Sequence, residues 1–308
     1  MIEITPTFTV ILSSYNGEKF IRDQVQSILN QVDVQVRLII RDDGSTDTTP
    51  DIIHQMCEHN EIIQFVKGSN LGVVGSFFEL MKIAGDESDY LAFADQDDFW
   101  KPGKLIRAHE QMKSIAKEIP VMYYSRLEFT DSELRTIGFS QVPKYSGFNN
   151  AVVQNQATGC TVVLNNSAKN KVTEHLPSWA LMHDWWCYLV ISAFGKIIYD
   201  DQSNILYRKH GNNVTPATPW FIMELYARVL RFLGKGKITE KVSDQVGEFK
   251  RVFADQLTDF QLEIINGFLG LRSANVTQRI KYVMNMPVRR NTRLDNLILR
   301  ILIIAGRF

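Results

Sequence analysis

"YLAFADQDDFW", residues 90–100, is the stretch on which the fold turns. An apolar run ends in three carboxylates, Asp95, Asp97 and Asp98. A short β-rich run closed by acids reads as a strand that delivers its polar end to the rim of a sheet. Like charges this close repel, so the rim needs a cation or a ligand. On an extended continuation of the strand, Asp95 and Asp97 point to one side and Asp98 away. Paired carboxylates are hard oxygen ligands suited to Mg²⁺ or Mn²⁺, with phosphate oxygens and waters completing the octahedron. An acidic turn capping the helix after Pro102 has the same composition. The surrounding chain separates the two readings.

Upstream, "FTVILSS" (8–14) is followed by Ile21, Val25 and Ile28 at helical spacing, and "VRLIIRDDGSTD" (36–47) by a helix with Pro50 in its first turn. "IIQFVKG" (62–68) and a helix around 77–83 lead into "YLAFA". This β-α alternation predicts an α/β fold, a mostly parallel sheet with helices on both faces. Such a sheet binds its ligands at the carboxyl ends of its strands. Four polar clusters fall there: Ser13 to Asn16, Asp42 to Asp47, Asn70 to Gly72, and Asp95 to Asp98. "VMYYSRLEFTD" (121–131) and "ATGCTVVLN" (157–165) read as later strands, and "SWALMHDWWCYLVISAFG" (178–195) as a buried helix. "IIYDDQSNILYRKHGNN" (197–213) reads as a strand running into a loop. Beyond Pro219 only helices are evident, so the predicted organisation is 1–218 catalytic and 219–308 a helical extension.

The 308 residues carry 34 basic and 34 acidic groups, which removes the basic signature of a nucleic-acid binder. The balance is uneven along the chain. From Leu271 onward eight Arg or Lys face one acid, Asp295, a net of +7, and the rest is correspondingly acidic. Three widely separated cysteines match neither a metal-ligand spacing nor a disulfide framework, which predicts a reducing, cytoplasmic location. "MIEITPTFTVILS" lacks a basic leader and a cleavage site and reads as a strand rather than a signal peptide. No apolar stretch approaches the roughly 20 residues of a membrane-spanning helix.

"TVILSSYNGEKFIRDQVQSILNQ", "RDDGSTDTT", "NLGVVGSF" and "FADQDDFW", in this order and spacing, resemble the nucleotide-binding half of family 2 glycosyltransferases of the GT-A fold. "MHDWW" (182–186) and "YRKHGNN" (207–213) extend the resemblance to roughly residue 215, most like bacterial enzymes that add rhamnose or a similar sugar to cell-surface polysaccharides. The resemblance implies an inverting, metal-dependent transfer from a nucleoside diphosphate sugar, such as dTDP-rhamnose, to a lipid-linked or polysaccharide acceptor. It places Ser13, Tyr15 and Asp43 around base and ribose, with Asn16 and Asn70 on the same nucleotide-sugar rim. Asp95 and Asp97 become the DxD pair, Asp97 the direct metal ligand, with Mn²⁺ or Mg²⁺ as cofactor. Asp184 falls where the family keeps its catalytic base, and His183 replaces the Glu that commonly precedes it. Arg208 would neutralise phosphate charge, and His210 would make a late metal or diphosphate contact. Two other classes remain open: a nucleotidyltransferase, although "SSYNGEKF" lacks the expected Gly-rich basic loop, and a non-catalytic carbohydrate-binding or scaffold module.

The C-terminal helices combine the +7 charge with Leu294, Leu297, Ile298, Ile301 and Leu302 at helical spacing. An amphipathic basic helix of this kind suits peripheral contact with the inner face of the cell membrane. Packing on the catalytic part, or a homodimer, would use the same residues.

Overall fold

The computed structural model describes residues 5–209 and 237–307. The chain divides into two compact units, one of residues 1–142, 157–176 and 182–209, the other of 143–156, 177–181 and 210–308. The boundary expected at 218/219 lies outside the described residues, as does His210.

Among the described residues the first unit holds eleven strands: β1 Thr7–Ser14, β2 Gln35–Asp42, β3 Ile63–Lys67, β4 Tyr90–Asp95, β5 Phe99–Trp100, β6 Val121–Ser125, β7 Glu128–Thr130, β8 Thr136–Phe139, β9 Val163–Asn165, β10 Lys196–Asp200 and β11 Ile205–Arg208. Seven form one sheet in the order β10-β6-β9-β4-β1-β2-β3, and β5-β11-β7-β8 form another. In the large sheet β1 pairs in parallel with both β2 and β4, while β9 runs antiparallel between β4 and β6. Sequence order therefore proceeds from β1 toward β3 on one side and resumes with β4 on the other. A crevice opens at such a reversal, beyond the carboxyl ends of β1 and β4. Register brings the polar ends level, because Ser13 pairs with Asp95 and Ser14 with Asp42.

Successive residues Val10, Ile11 and Leu12 of β1 are all fully buried. Both faces of the sheet are covered, which is why this strand reads as a continuous apolar run. Phe8, Val10 and Leu12 share a core with Ile21, Val25 and Ile28 of α1 (Ile21–Leu29), each fully buried aliphatic contributing about 1.5–3 kcal/mol. On the opposite face Phe93 packs near Phe77 of α3 (Gly72–Ile83), ring centroids 5.7 Å apart.

Two segments depart from the sequence expectation. "VMYYSRLEFTD" is two strands in different sheets: at the break the Arg126 N–H donates to the Asp200 carbonyl and the Leu127 N–H to Ser140 Oγ. The helix expected from Ser178 begins only at His183, and residues 177–181 belong to the second unit. Among the described residues the second unit is helical, with helices Phe148–Ala151, Lys237–Phe253, Asp259–Gly270, Val276–Met284 and Arg293–Ala305. Its core includes Phe249, Phe253, Ile265 and Phe268, and capping boxes at Thr258/Gln261 and Asn275/Gln278 open two of the helices. Helix Arg293–Ala305 buries Leu299, Leu302 and Ile303, so Leu302 faces the interior, whereas Leu297 and Ile301 are exposed.

Candidate active site

Four loops at the strand ends are laced together by side chains. Asp42, fully buried, accepts the Gly44 and Ser45 N–H groups (3.2 and 3.0 Å) and so shapes the turn after β2. Asn16 adopts a left-handed conformation (φ 49°), donates its N–H to Ser45 Oγ (2.9 Å) and accepts the Thr46 N–H on its side-chain carbonyl (2.8 Å). It therefore ties the β1 loop to the β2 loop. Gln96, between the two acids of the DxD pair, clamps Tyr15: its Oε1 accepts the Tyr15 N–H at 2.8 Å and its Nε2 donates to the Tyr15 carbonyl at 3.0 Å. A Cβ at residue 17 would lie 2.2 Å from Gln96 Oε1, so any side chain there would push Gln96 out of this clamp. The Tyr15 ring is left 47 % exposed at the rim.

Asp43 is buried and paired with Arg41, whose guanidinium also donates to Ser76 Oγ (3.0 Å) and to the Ser69 carbonyl (2.8 Å). Asp43 Oδ1 accepts the Leu71 N–H as well (2.8 Å), so this pair holds the loop carrying Asn70. Asn70 itself is exposed and accepts the Gly72 N–H at 3.2 Å. Ser13 Oγ donates to Ser76 Oγ at 2.7 Å.

The acidic stretch corrects the alternation argument. β4 ends at Asp95 and residues 96–97 form a turn, so the pleat stops before Asp97. Asp98 turns inward and is fully buried, and ligand atoms of Asp95, Asp98 and Cys160 lie within 4.8 Å of one another. Neither Asp98 oxygen has a hydrogen-bond partner among the described residues. Lys104, also buried and without a hydrogen bond, rests its Nζ 3.6 Å from the centre of the Trp100 ring. Burial pushes the Asp98 carboxyl well above its usual range, followed by the charges of Asp97 and Asp95. Burial, then Asp97 and Asp184, push Asp95 up to about 7. The half-buried Asp95 and Asp97 thus carry a repulsion that a hard divalent cation would relieve, and the donor set fits one. The buried Asp98 instead has Cys160 and a lysine for company, a poor setting for Mg²⁺.

Residues 9–170 match the family described as Glycosyl transferase family 2. The chain belongs to that family. An uncharacterized glycosyltransferase of Nostoc sp. is 30% identical over 216 residues, covering 67% of this chain and 65% of its own. The alignment thus spans about two thirds of that relative. A dTDP-rhamnosyl transferase of Shigella flexneri is 27% identical over 224 residues, covering 66% and 72%. Among solved structures, Staphylococcus aureus TarS 1–349 in complex with UDP-GlcNAc covers 97% of this chain and 91% of its own, at TM-score 0.54 and 13% identity. A Pyrobaculum calidifontis mannosyltransferase in complex with GDP-Man and Mn²⁺ covers 98% and 86%, at TM-score 0.50 and 13% identity. At such identities the likeness is one of fold, and that fold is GT-A.

In this family 2 chain, Asp184 sits in the first turn of α7 (His183–Phe194) and is buried. Its Oδ2 accepts the Gly159 N–H at 2.9 Å and its Oδ1 the Trp185 N–H at 2.6 Å. Its neighbour His183 is a core residue: the ring stacks on Phe77 with centroids 3.8 Å apart, neither nitrogen has a hydrogen bond among the described residues, and burial lowers its pKa to about 3. Position 183 thus holds a neutral, stacked imidazole. Arg208, buried at the end of β11, is committed to three anchors: the Asp97 carbonyl (3.1 Å), the Ser132 carbonyl (2.8 Å) and Asp23 Oδ2 (3.1 Å). Its charge steadies the main chain of the DxD loop. Gln96, Arg41, Lys104 and Cys160 escaped the sequence reading; the roles of Gln96 and Cys160 rest on partners far along the chain, and those of Arg41 and Lys104 on which side chains folding encloses together.

Proposed function

We propose that this family 2 glycosyltransferase transfers a sugar with inversion from a nucleoside diphosphate donor to a hydroxyl of a polysaccharide or lipid-linked acceptor. One observation carries the reading: Asp184, from α7, accepts the N–H of Gly159, the neighbour of Cys160, whose sulfur lies within 4.8 Å of ligand oxygens of Asp95, from β4, and Asp98. The acid suited to a base and the acids suited to a cation share one electrostatic neighbourhood. Asp184 takes the proton from the attacking acceptor hydroxyl; its two backbone N–H bonds orient the carboxylate. A divalent cation, Mn²⁺ or Mg²⁺, held by Asp95 and Asp97 with His210 as a late contact, would stabilise charge developing on the departing diphosphate. The exposed Tyr15 ring gives the base a face to stack on, with Ser13, Asp43, Asn16 and Asn70 completing the nucleotide-sugar rim. Arg208 serves this rim by holding Asp97 in place.

Rhamnose is the sugar we favour, from dTDP-rhamnose, on the likeness to the Shigella dTDP-rhamnosyl transferase. Turnover of a panel of nucleotide sugars with Mn²⁺, with Mg²⁺ and with chelator tests both levels. Metal-dependent release of the nucleoside diphosphate from one donor is expected. Binding without turnover across the panel would favour a carbohydrate-binding module instead.

The acceptor would be met at a membrane. No helix among the described residues is long and apolar enough to cross a bilayer. The second unit nevertheless exposes Val276, Ile280 and Met284 at four-residue spacing on one helix, and Leu297 and Ile301 on another, within the segment of +7 net charge. This face supports peripheral contact with anionic lipid. A homodimer would cover the same residues.

A further inference from the structure

We infer that the second unit carries a saccharide-binding cavity built around Trp179. The cavity is an open cleft of about 670 Å³, a volume in the range of small-molecule sites. Its wall is formed by the segment 177–181 and the helices Lys237–Phe253 and Asp259–Gly270, with Arg272 just beyond them.

Trp179 is held as a platform. On one side the Ser178 N–H and Oγ both donate to Glu248 Oε1 (2.6 and 2.7 Å); on the other the Leu181 N–H donates to Gln245 Oε1 (2.9 Å). Glu248 is itself fixed by Arg251 through two bonds of 2.7 Å. Between these tethers the indole remains 41 % exposed. A large aromatic anchored by its own backbone yet open to solvent offers a flat apolar face at little ordering cost.

Two independent features mark the cavity as built for a ligand. Gly247 lies inside helix Lys237–Phe253, where glycine costs stability relative to alanine. A Cβ there would meet nothing within 4 Å, so the missing side chain leaves free space in the cavity wall rather than relieving a clash. Ser243, fully buried and also lining the cavity, has a hydroxyl with no partner among the described residues. The hydroxyl is closed to solvent in the empty cleft, so an occupant would meet it through a turn of the Ser243 side chain, which would supply the partner a buried hydroxyl needs.

The lining names the class of that occupant. Beside the tryptophan face stands the ion pair Asp244–Arg272, half exposed on both members, which supplies an acceptor and a donor. Two acids, Asp244 and Glu248, line the cavity against one arginine. A phosphorylated ligand is disfavoured by that balance. A pyranose presents an apolar face to stack and a rim of hydroxyls to hydrogen bond, and it carries no charge. As the acceptor glycan's site the cavity rests on the glycosyl-transfer reading; as a saccharide site it stands alone.

Saturation-transfer NMR on the full chain, with methyl α-L-rhamnopyranoside, N,N′-diacetylchitobiose and maltotriose as probes, tests it. Transfer to at least one saccharide is expected, weakened at least ~10-fold by Trp179→Ala and by Gly247→Leu. Metal-dependent donor hydrolysis is expected to stay unchanged in both variants, and thermal melts confirm that they fold. No transfer to any of the three probes, or transfer that survives both substitutions, overturns the cavity. Loss of donor turnover in the wild type with saccharide binding intact would strike the transfer reading and leave the cavity standing.

Discussion

Asp97 and Asp98 are neighbours in the chain with opposite surroundings. Asp97 is half-buried, its carbonyl pinned by Arg208, and Asp98 is enclosed with Lys104 and Cys160. A neutral amide is a poor ligand for a hard cation, so Asp97→Asn is expected to abolish metal-dependent turnover and Mn²⁺ binding by calorimetry while the melting temperature holds. Near-native turnover with unchanged metal dependence would remove Asp97 from the metal site. Asp184→Asn keeps one acceptor oxygen for the backbone N–H groups of Gly159 and Trp185 and loses the basic carboxylate. It is expected to lower kcat by about 10²- to 10⁴-fold with donor affinity unchanged. A loss of nucleotide affinity at constant kcat would move Asp184 to the donor side.

At the scale of elements, the start of α7 couples the site to the core. His183 stacks between α3 and β4 side chains, Phe77 and Phe93, and a Cβ at Gly159 would approach its Nε2 to 2.9 Å. The imidazole stays neutral in the fold until about pH 3, whereas in the unfolded chain it protonates near 6.5. Between these values the unfolded state binds more protons, so stability falls as pH drops through 6.5 toward 3, by up to about 1.4 kcal/mol per pH unit. His183→Phe preserves the stacking and lacks the titration. Denaturant melts from pH 7 to pH 4 are expected to show a shallower loss in the variant, and identical slopes would mean that His183 is solvated rather than enclosed.

For the whole molecule, the charge asymmetry and the exposed apolar face coincide in the second unit. Each Lys or Arg near an anionic surface adds about 1 kcal/mol, so the tail suffices for reversible, salt-sensitive contact. Flotation with anionic vesicles at low salt is expected to carry the full chain, and the double variant Leu297→Glu with Ile301→Glu to stay behind. Equal flotation of the two proteins refutes lipid contact through this face, and sedimentation then reports whether it pairs two copies.

The sequence by itself determined the strand ends. Apolar runs closed by Ser13, Asp42 and Asp95 marked where backbone period and burial change, and parallel order followed from the intervening helices. Those are local properties, legible along the chain. The tertiary structure alone decided what each polar group does. The pleat stops at Asp95, so Asp98 faces inward, and Arg208 reaches a carbonyl 111 residues away. Gln96 clamps a loop 81 residues distant, and His183 became a core stacking partner. Leu302 was legible as one of an apolar series but not as its buried member, because a helix shows its stripe in sequence and only packing selects which edge is covered. A buried donor or acceptor must find a partner, and folding brings that partner from wherever in the chain it lies.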